Sequence, residues 1–165
     1  MNNERLQQLA DYLKTKVKPE RFSMHVYNDD FSTWATRTPA GTGCAARYIT
    51  AIMDRNAFRR LQYKHKNNCY NSCLYDALLY IGLGVRDDRG EYHSGPNHKE
   101  FRWFFSDDWT EIDNTPTGAA ARIEWYLQHG LPDNMSDQLD GIAPLCYIPI
   151  ENQPKFYMPI RQMSA

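Results

Sequence analysis

Apolar stripes at helical spacing, each ended by a residue that halts a helix, constrain this chain more than any other feature. In residues 4–17, Leu6, Leu9, Ala10, Leu13 and Val17 recur at the three- and four-residue intervals that share one helix face. Pro19 closes that segment, because its ring blocks the preceding turn and it has no amide hydrogen to donate. Leu74, Ala77, Leu78 and Ile81 form a second stripe over 72–81, stopped by Gly82, which takes a left-handed conformation without steric cost. The clearest start signal lies in DNTPTGAAARIEWYLQHG (113–130). Thr115 is a good N-cap, Pro116 falls at the first helical position where no donor is needed, and Gly130 closes the far end. Ala120, Ile123 and Leu127 set its core stripe.

Weaker signals fill the gaps. The stretch from Cys44 to about Met53 predicts a helix with Tyr48, Ile49, Ile52 and Met53 inward. RNAFRRLQYKHK (55–66) either prolongs it or forms a helix of its own. EFRWFF (100–105) reads as a short aromatic helix, whereas Phe22–Gly43 is irregular and 86–98 is a polar, turn-rich loop. Beyond Pro132, prolines 144, 149, 154 and 159 exclude a central strand, so LCYIPI and KFYMPI read as edge strands or extended arms. The expectation is a mainly α protein of one domain, 1–165. It has a compact helical core over 1–133 and an irregular, partly extended, Pro-rich C-terminal tail over 134–165 packing on that core. A chain of 165 residues buries enough surface for this without disulfides.

Charge and hydropathy narrow the partners. A net charge of −1 gives no global attraction to nucleic acid or an anionic membrane. No apolar run reaches the length of a membrane span, and the polar N-terminus MNNERLQQLADYLK has no signal-peptide core. A cytoplasmic location without a membrane partner is therefore expected. The four cysteines, Cys44, Cys69, Cys73 and Cys146, are then free thiols or metal ligands before they are a disulfide framework.

Three constellations could carry chemistry. Cys69 and Cys73, followed by His93 and His98, supply the four ligands that tetrahedral zinc requires. The competing assignment puts Cys73 in the core stripe and Cys69 in a turn, with no cofactor, which suits one of the most buried residue types. Cys44 and Cys73 each fall at a helix start, where the dipole lowers a thiol pKa. For Cys73 the available bases are His93 and His98, oriented by Asn97 or Asp76. The local pattern around Cys73 looks like the nucleophile helix of papain-like proteases, although little sheet is available to carry the histidine. Asp107, Asp108, Glu111 and Asp113 could converge on a hard cation, but they lack the glycine and terminal glutamate of a calcium loop.

Two further features point to binding. Arg55, Arg59, Arg60, Lys64 and Lys66 form a basic stripe with no acid after Asp54. An ordinary solvated helix face is the commoner case for such a stripe. As a binding surface it would meet an acidic face on a partner protein or the chain's own acidic segment 107–113, with phosphates of nucleic acid, taken through 55–66, possible but not favoured. Aromatic residues make up 13% of the chain. Tyr92, Phe101, Trp103, Phe104, Phe105 and Trp109 are crowded together in sequence, so either they wrap a core or some anchor an interface.

The elements FSM (22–24), AGTGCA (40–45) and FFSDDWTEIDNTPTGAAARIEWYLQHG (104–130) resemble a family of small uncharacterised phage and bacterial proteins. The resemblance implies a fold and a phage or bacterial setting, not a reaction. With no complete catalytic constellation, the expected function is a non-enzymatic accessory protein in the cytoplasm of the bacterial host. It would bind a host or phage protein, with counteraction of host defence as its role. Arg59, Arg60 and Lys64, with Trp103 and Trp109, are the expected partner-binding residues. The alternatives are a zinc- or cysteine-dependent protein using Cys69, Cys73, His93 and His98, and a sponge for a small nucleotide ligand clamped by aromatic and Arg side chains.

Overall fold

The computed structural model describes residues 1–24, 36–65, 71–93, 97–105 and 114–131. They form a mainly α fold: α1 (Asn3–Lys16), α2 (Ile49–Ile52), α3 (Arg55–Lys64), α4 (Asn71–Tyr80), α5 (His98–Phe105) and α6 (Pro116–His129), with short 3₁₀ turns at Pro19–Arg21 and Ala45–Tyr48. Lys66, Cys69, Trp109, the acidic segment 106–113 and the tail from 132 onward, with Cys146, lie outside the described residues. No helix among those described is long and apolar enough to cross a membrane.

The sequence signals act where they were read. The Asn2 side chain caps α1 by accepting from the Arg5 amide at 3.0 Å. The backbone is extended at Lys18, the conformation the following Pro19 imposes, and already at Val17 before it. Thr115 caps α6 through Oγ1, which accepts from the Gly118 amide at 2.9 Å, and Gly130 ends that helix at φ +73°. Leu6, Leu9, Ala10 and Leu13 are wholly buried, and α1 packs most extensively against α6. The buried run Gly118–Ala121 keeps side chains small on α6 and lets the two backbones approach. Lys14 and Glu124 pair across the outside of that seam.

The segment from Ala45 to Ile52, expected as one helix, is a 3₁₀ turn running into a single α turn. It packs against α1, α4 and α5 and is almost entirely buried. Burying it brings a charge inside. Arg47 donates to Thr50 Oγ1 at 2.6 Å and to the Thr36 carbonyl at 3.0 Å. Burial lowers its pKa to about 10, so it stays protonated at neutral pH. Arg37 donates to the carbonyls of Thr50, Ala51 and Met53, covering the C-terminal end of α2 where a cation is favoured.

The loop expected over 86–98 contains a small antiparallel hairpin, β1 (Val85–Arg86) with β2 (Tyr92–His93). Asp87 makes its turn, with Oδ1 accepting from the Arg89 and Glu91 amides, both at 2.9 Å. Gly84 feeds this hairpin at φ +84°, and a Cβ there would stand 2.4 Å from the Tyr92 ring. That ring cannot easily retreat, being stacked on Tyr75 at 4.5 Å with its hydroxyl donating to the Leu83 carbonyl. Gly84→Ala should therefore cost about 2–4 kcal/mol from strain and overpacking together. Urea denaturation of wild type and variant at neutral pH checks this.

Candidate functional site

Helix α3 is built to hold one face out. Asp54 caps it, accepting from the Ala57 amide at 2.7 Å, and Phe58 and Leu61 are its buried anchors. The remaining positions expose Arg55, Asn56, Arg59, Arg60, Tyr63 and Lys64. Tyr63 follows Arg59 by four residues and Arg60 by three, so it lies between their side chains on the helix surface. It is 83% exposed, the most exposed of the large hydrophobic side chains among the described residues.

At its C-terminal end α3 is tied down by a single carboxylate. Asp76 on α4 accepts from Lys64 Nζ at 2.9 Å, from Arg86 NH2 of β1 at 2.5 Å, and pairs with His65 Nε2 at 2.6 Å. Burial disfavours its ionised form, but the hydrogen bonds from Arg86, Lys64 and His65 outweigh that and hold its carboxyl below the usual range. His65 is itself buried, and its Nδ1 has no hydrogen-bond partner among the described residues. Beside this cluster a cleft of about 310 Å³ opens between α3 and α4. Its wall is Met53, Ala57, Leu61 and Leu79, and Arg60, Lys64 and Asp76 stand among its polar lining. Tyr80 completes it, held by Arg5, whose guanidinium lies 3.7 Å above the ring centroid.

Of the expected partner-binding residues, Arg59, Arg60 and Lys64 share this exposed face. Trp103 does not: it is fully buried, its Nε1 donates to the Arg122 carbonyl at 2.9 Å, and the Arg122 guanidinium lies 5.1 Å from its ring. The rings of α5 wrap a core, because that helix packs between α6 and the Ala45–Tyr48 turn and so meets protein on more than one side. Tyr63 was not singled out from sequence. Its position among arginines on an amphipathic helix was the available signal, once the apolar side of that helix had been assigned to Phe58 and Leu61.

The expected zinc ligands are not brought together among the described residues. Cys73 is buried in the core stripe, while His93 is exposed and pairs with Asp87 at 3.0 Å, and His98 opens α5 on the surface. The described residues place His93 with Asp87 and Glu91 instead, all exposed. The surroundings of the two described thiols also weigh against the alternative of an activated cysteine. Burial pushes the Cys44 thiol up, overriding the nearby backbone amides and Arg47. Burial and the charge of Asp76 push Cys73 up to about 11. Asp76 orients His65, not His93 or His98.

No protein-family model matches the chain, and no curated protein or solved structure is significantly similar to it.

Two outcomes follow from these environments. Cys44 and Cys73 should alkylate with iodoacetamide at least about tenfold more slowly in the native protein than after unfolding, as resolved by peptide mass spectrometry. Asp76→Asn should lower stability at pH 7 by about 2–3 kcal/mol, less than for a fully buried pair because Lys64 remains half exposed. The folded carboxyl titrates below its unfolded value near 4, so its contribution is complete at neutral pH and fades as pH falls through the folded pKa. Thermal melts across the acid range should accordingly fall less steeply with decreasing pH in the variant.

Proposed function

We propose that this protein acts by binding a partner protein through the basic face of α3 and not by catalysis. One observation carries the reading: Arg59, Arg60 and Tyr63 are exposed side by side on a helix whose opposite side is anchored in the core. Arginine and tyrosine are enriched among residues that dominate interface energies, because each combines a broad contact surface with polar groups. The cations favour an acidic partner surface and speed the encounter with it. Catalysis by a thiolate is disfavoured at Cys44 and Cys73, whose thiols burial holds protonated at neutral pH. A nucleotide sponge clamped by the aromatic cluster is also disfavoured, since Trp103, Phe104 and Phe105 are enclosed. The partner is a host or phage protein met in the cytoplasm of the bacterial host, with counteraction of host defence as the role. That setting rests on the motif resemblance alone.

The test is capture from a bacterial lysate by immobilised full-length protein, comparing wild type, the double charge reversal Arg59→Glu/Arg60→Glu, and Lys16→Glu/Lys18→Glu on a remote exposed surface. A specific partner should be lost by roughly tenfold or more with the α3 variant, since reversing charges on a complementary surface costs more than about 1.4 kcal/mol. The remote variant should capture normally, and both should keep the wild-type far-UV circular dichroism. Equal capture by all three proteins would sink the proposal.

A further inference from the structure

Resting on that reading, we infer that the partner segment is acidic and carries a bulky apolar side chain, which enters the cleft between α3 and α4 while its flanking carboxylates meet Arg59, Arg60 and Tyr63. The basic face and the cleft are continuous, because Arg60 and Lys64 belong to both. Walking around α3 from Arg59 through Tyr63 and Arg60 leads to Ala57 and Leu61, two residues of the cleft wall. Met53 and Leu79 supply the facing apolar surface.

Size and charge choose the occupant. At about 310 Å³ the cleft lies at the bottom of the range, roughly 300–1,000 Å³, in which cofactor-sized ligands are enclosed. It therefore suits a side chain projecting from a larger partner. Of its charged lining residues, Lys64 is paired with Asp76, and Asp76 is already shared with Arg86 and His65. Arg60, by contrast, is exposed at the mouth, with Arg59 and Arg55 on the same helix beyond it. The mouth is thus cationic, and Met53, Ala57, Leu61 and Leu79 make the apolar part of a mixed wall. An apolar residue bracketed by Asp or Glu is complementary to both. Tyr63 can add ring contact and a hydroxyl that donates to a carboxylate.

The experiment titrates isotope-labelled full-length protein with short synthetic peptides and follows its amide resonances by NMR. One peptide contains Asp and Glu around a central Leu. A second has Gly in place of that Leu, and a third has Lys in place of the acids. The expected result is saturable shifts along α3 and at Leu79 and Tyr80 with the acidic Leu peptide, weakening as salt is raised. Binding should fall about tenfold with the Gly peptide and vanish with the Lys peptide. Ala57→Leu, which fills the cleft without altering charge, should remove the preference for Leu over Gly, while Arg59→Glu/Arg60→Glu should abolish binding of both acidic peptides. Equal binding of the Leu and Gly peptides, unaffected by Ala57→Leu, would overturn the cleft assignment and leave the basic face intact as a docking surface. Absence of any response to the acidic peptides would overturn the partner chemistry itself. Tighter binding of single-stranded oligothymidine through the same arginines would assign the face to nucleic acid and defeat the inference.

Discussion

The carboxylate of Asp76 is the joint on which the placement of α3 depends. Helix α3 buries little beyond Phe58 and Leu61, so its apolar contacts alone anchor it weakly compared with the seam between α1 and α6. Asp76 supplies what is missing by joining the end of α3, through Lys64 and His65, to α4 and to Arg86 at the hairpin. Its side chain is only 17% exposed, which makes its ionisation costly in isolation. Three cationic or hydrogen-bonding partners reverse the balance, and the same interactions hold the helix in place. Removing the negative charge would leave Lys64, Arg86 and His65 crowded around a neutral group.

That joint also shapes the electrostatics of the exposed face. Asp76 draws Lys64 toward the cleft, so the cationic character of α3 is carried mainly by Arg55, Arg59 and Arg60. Arginine keeps its charge in any surroundings and presents a planar fork of donors suited to carboxylates. A partner would thus meet guanidinium groups around an exposed ring, with the ammonium group of Lys64 already engaged at the rim. This separates a helix face that is merely solvated from one equipped for directional contacts. A purely solvated face needs no aromatic residue at its centre.

Much of the architecture was legible because local chemistry and tertiary packing agree. Pro19, Thr115–Pro116 and Gly130 start or stop helices for backbone reasons that operate in any context, and the stripes beginning at Leu6 and Leu74 identify the sides that pack. The hairpin at Val85–His93 was not legible: two-residue strands carry no alternation to detect, and the turn that closes them is made by one aspartate. Trp103 was misjudged for a different reason. A run of aromatics on a short helix looks too broad for one core face, but α5 is enclosed from two sides, and spacing alone cannot reveal a second covering layer. Tyr63 and His65 illustrate the converse limit. Both lie on the sequence segment recognised as basic, yet one projects fully and the other is buried against Asp76, a distinction that depends on where α4 lies.

The cysteines show what burial does to a thiol at a helix start. A helix start lowers a thiol pKa, whereas burial in apolar surroundings raises it. Cys44 meets the backbone amides and the charge of Arg47, which favour the thiolate, but it meets them inside the core, where loss of hydration matters more. Cys73 has the added opposition of Asp76. The charge of Arg47 is likewise turned inward, stabilising the buried turn through Thr50 and Thr36 instead of activating a nucleophile. Within the described structure, interior charges therefore serve to hold elements together, whereas the arginines of α3 remain available at the surface. The same residue type has opposite uses in the two places, and burial decides between them.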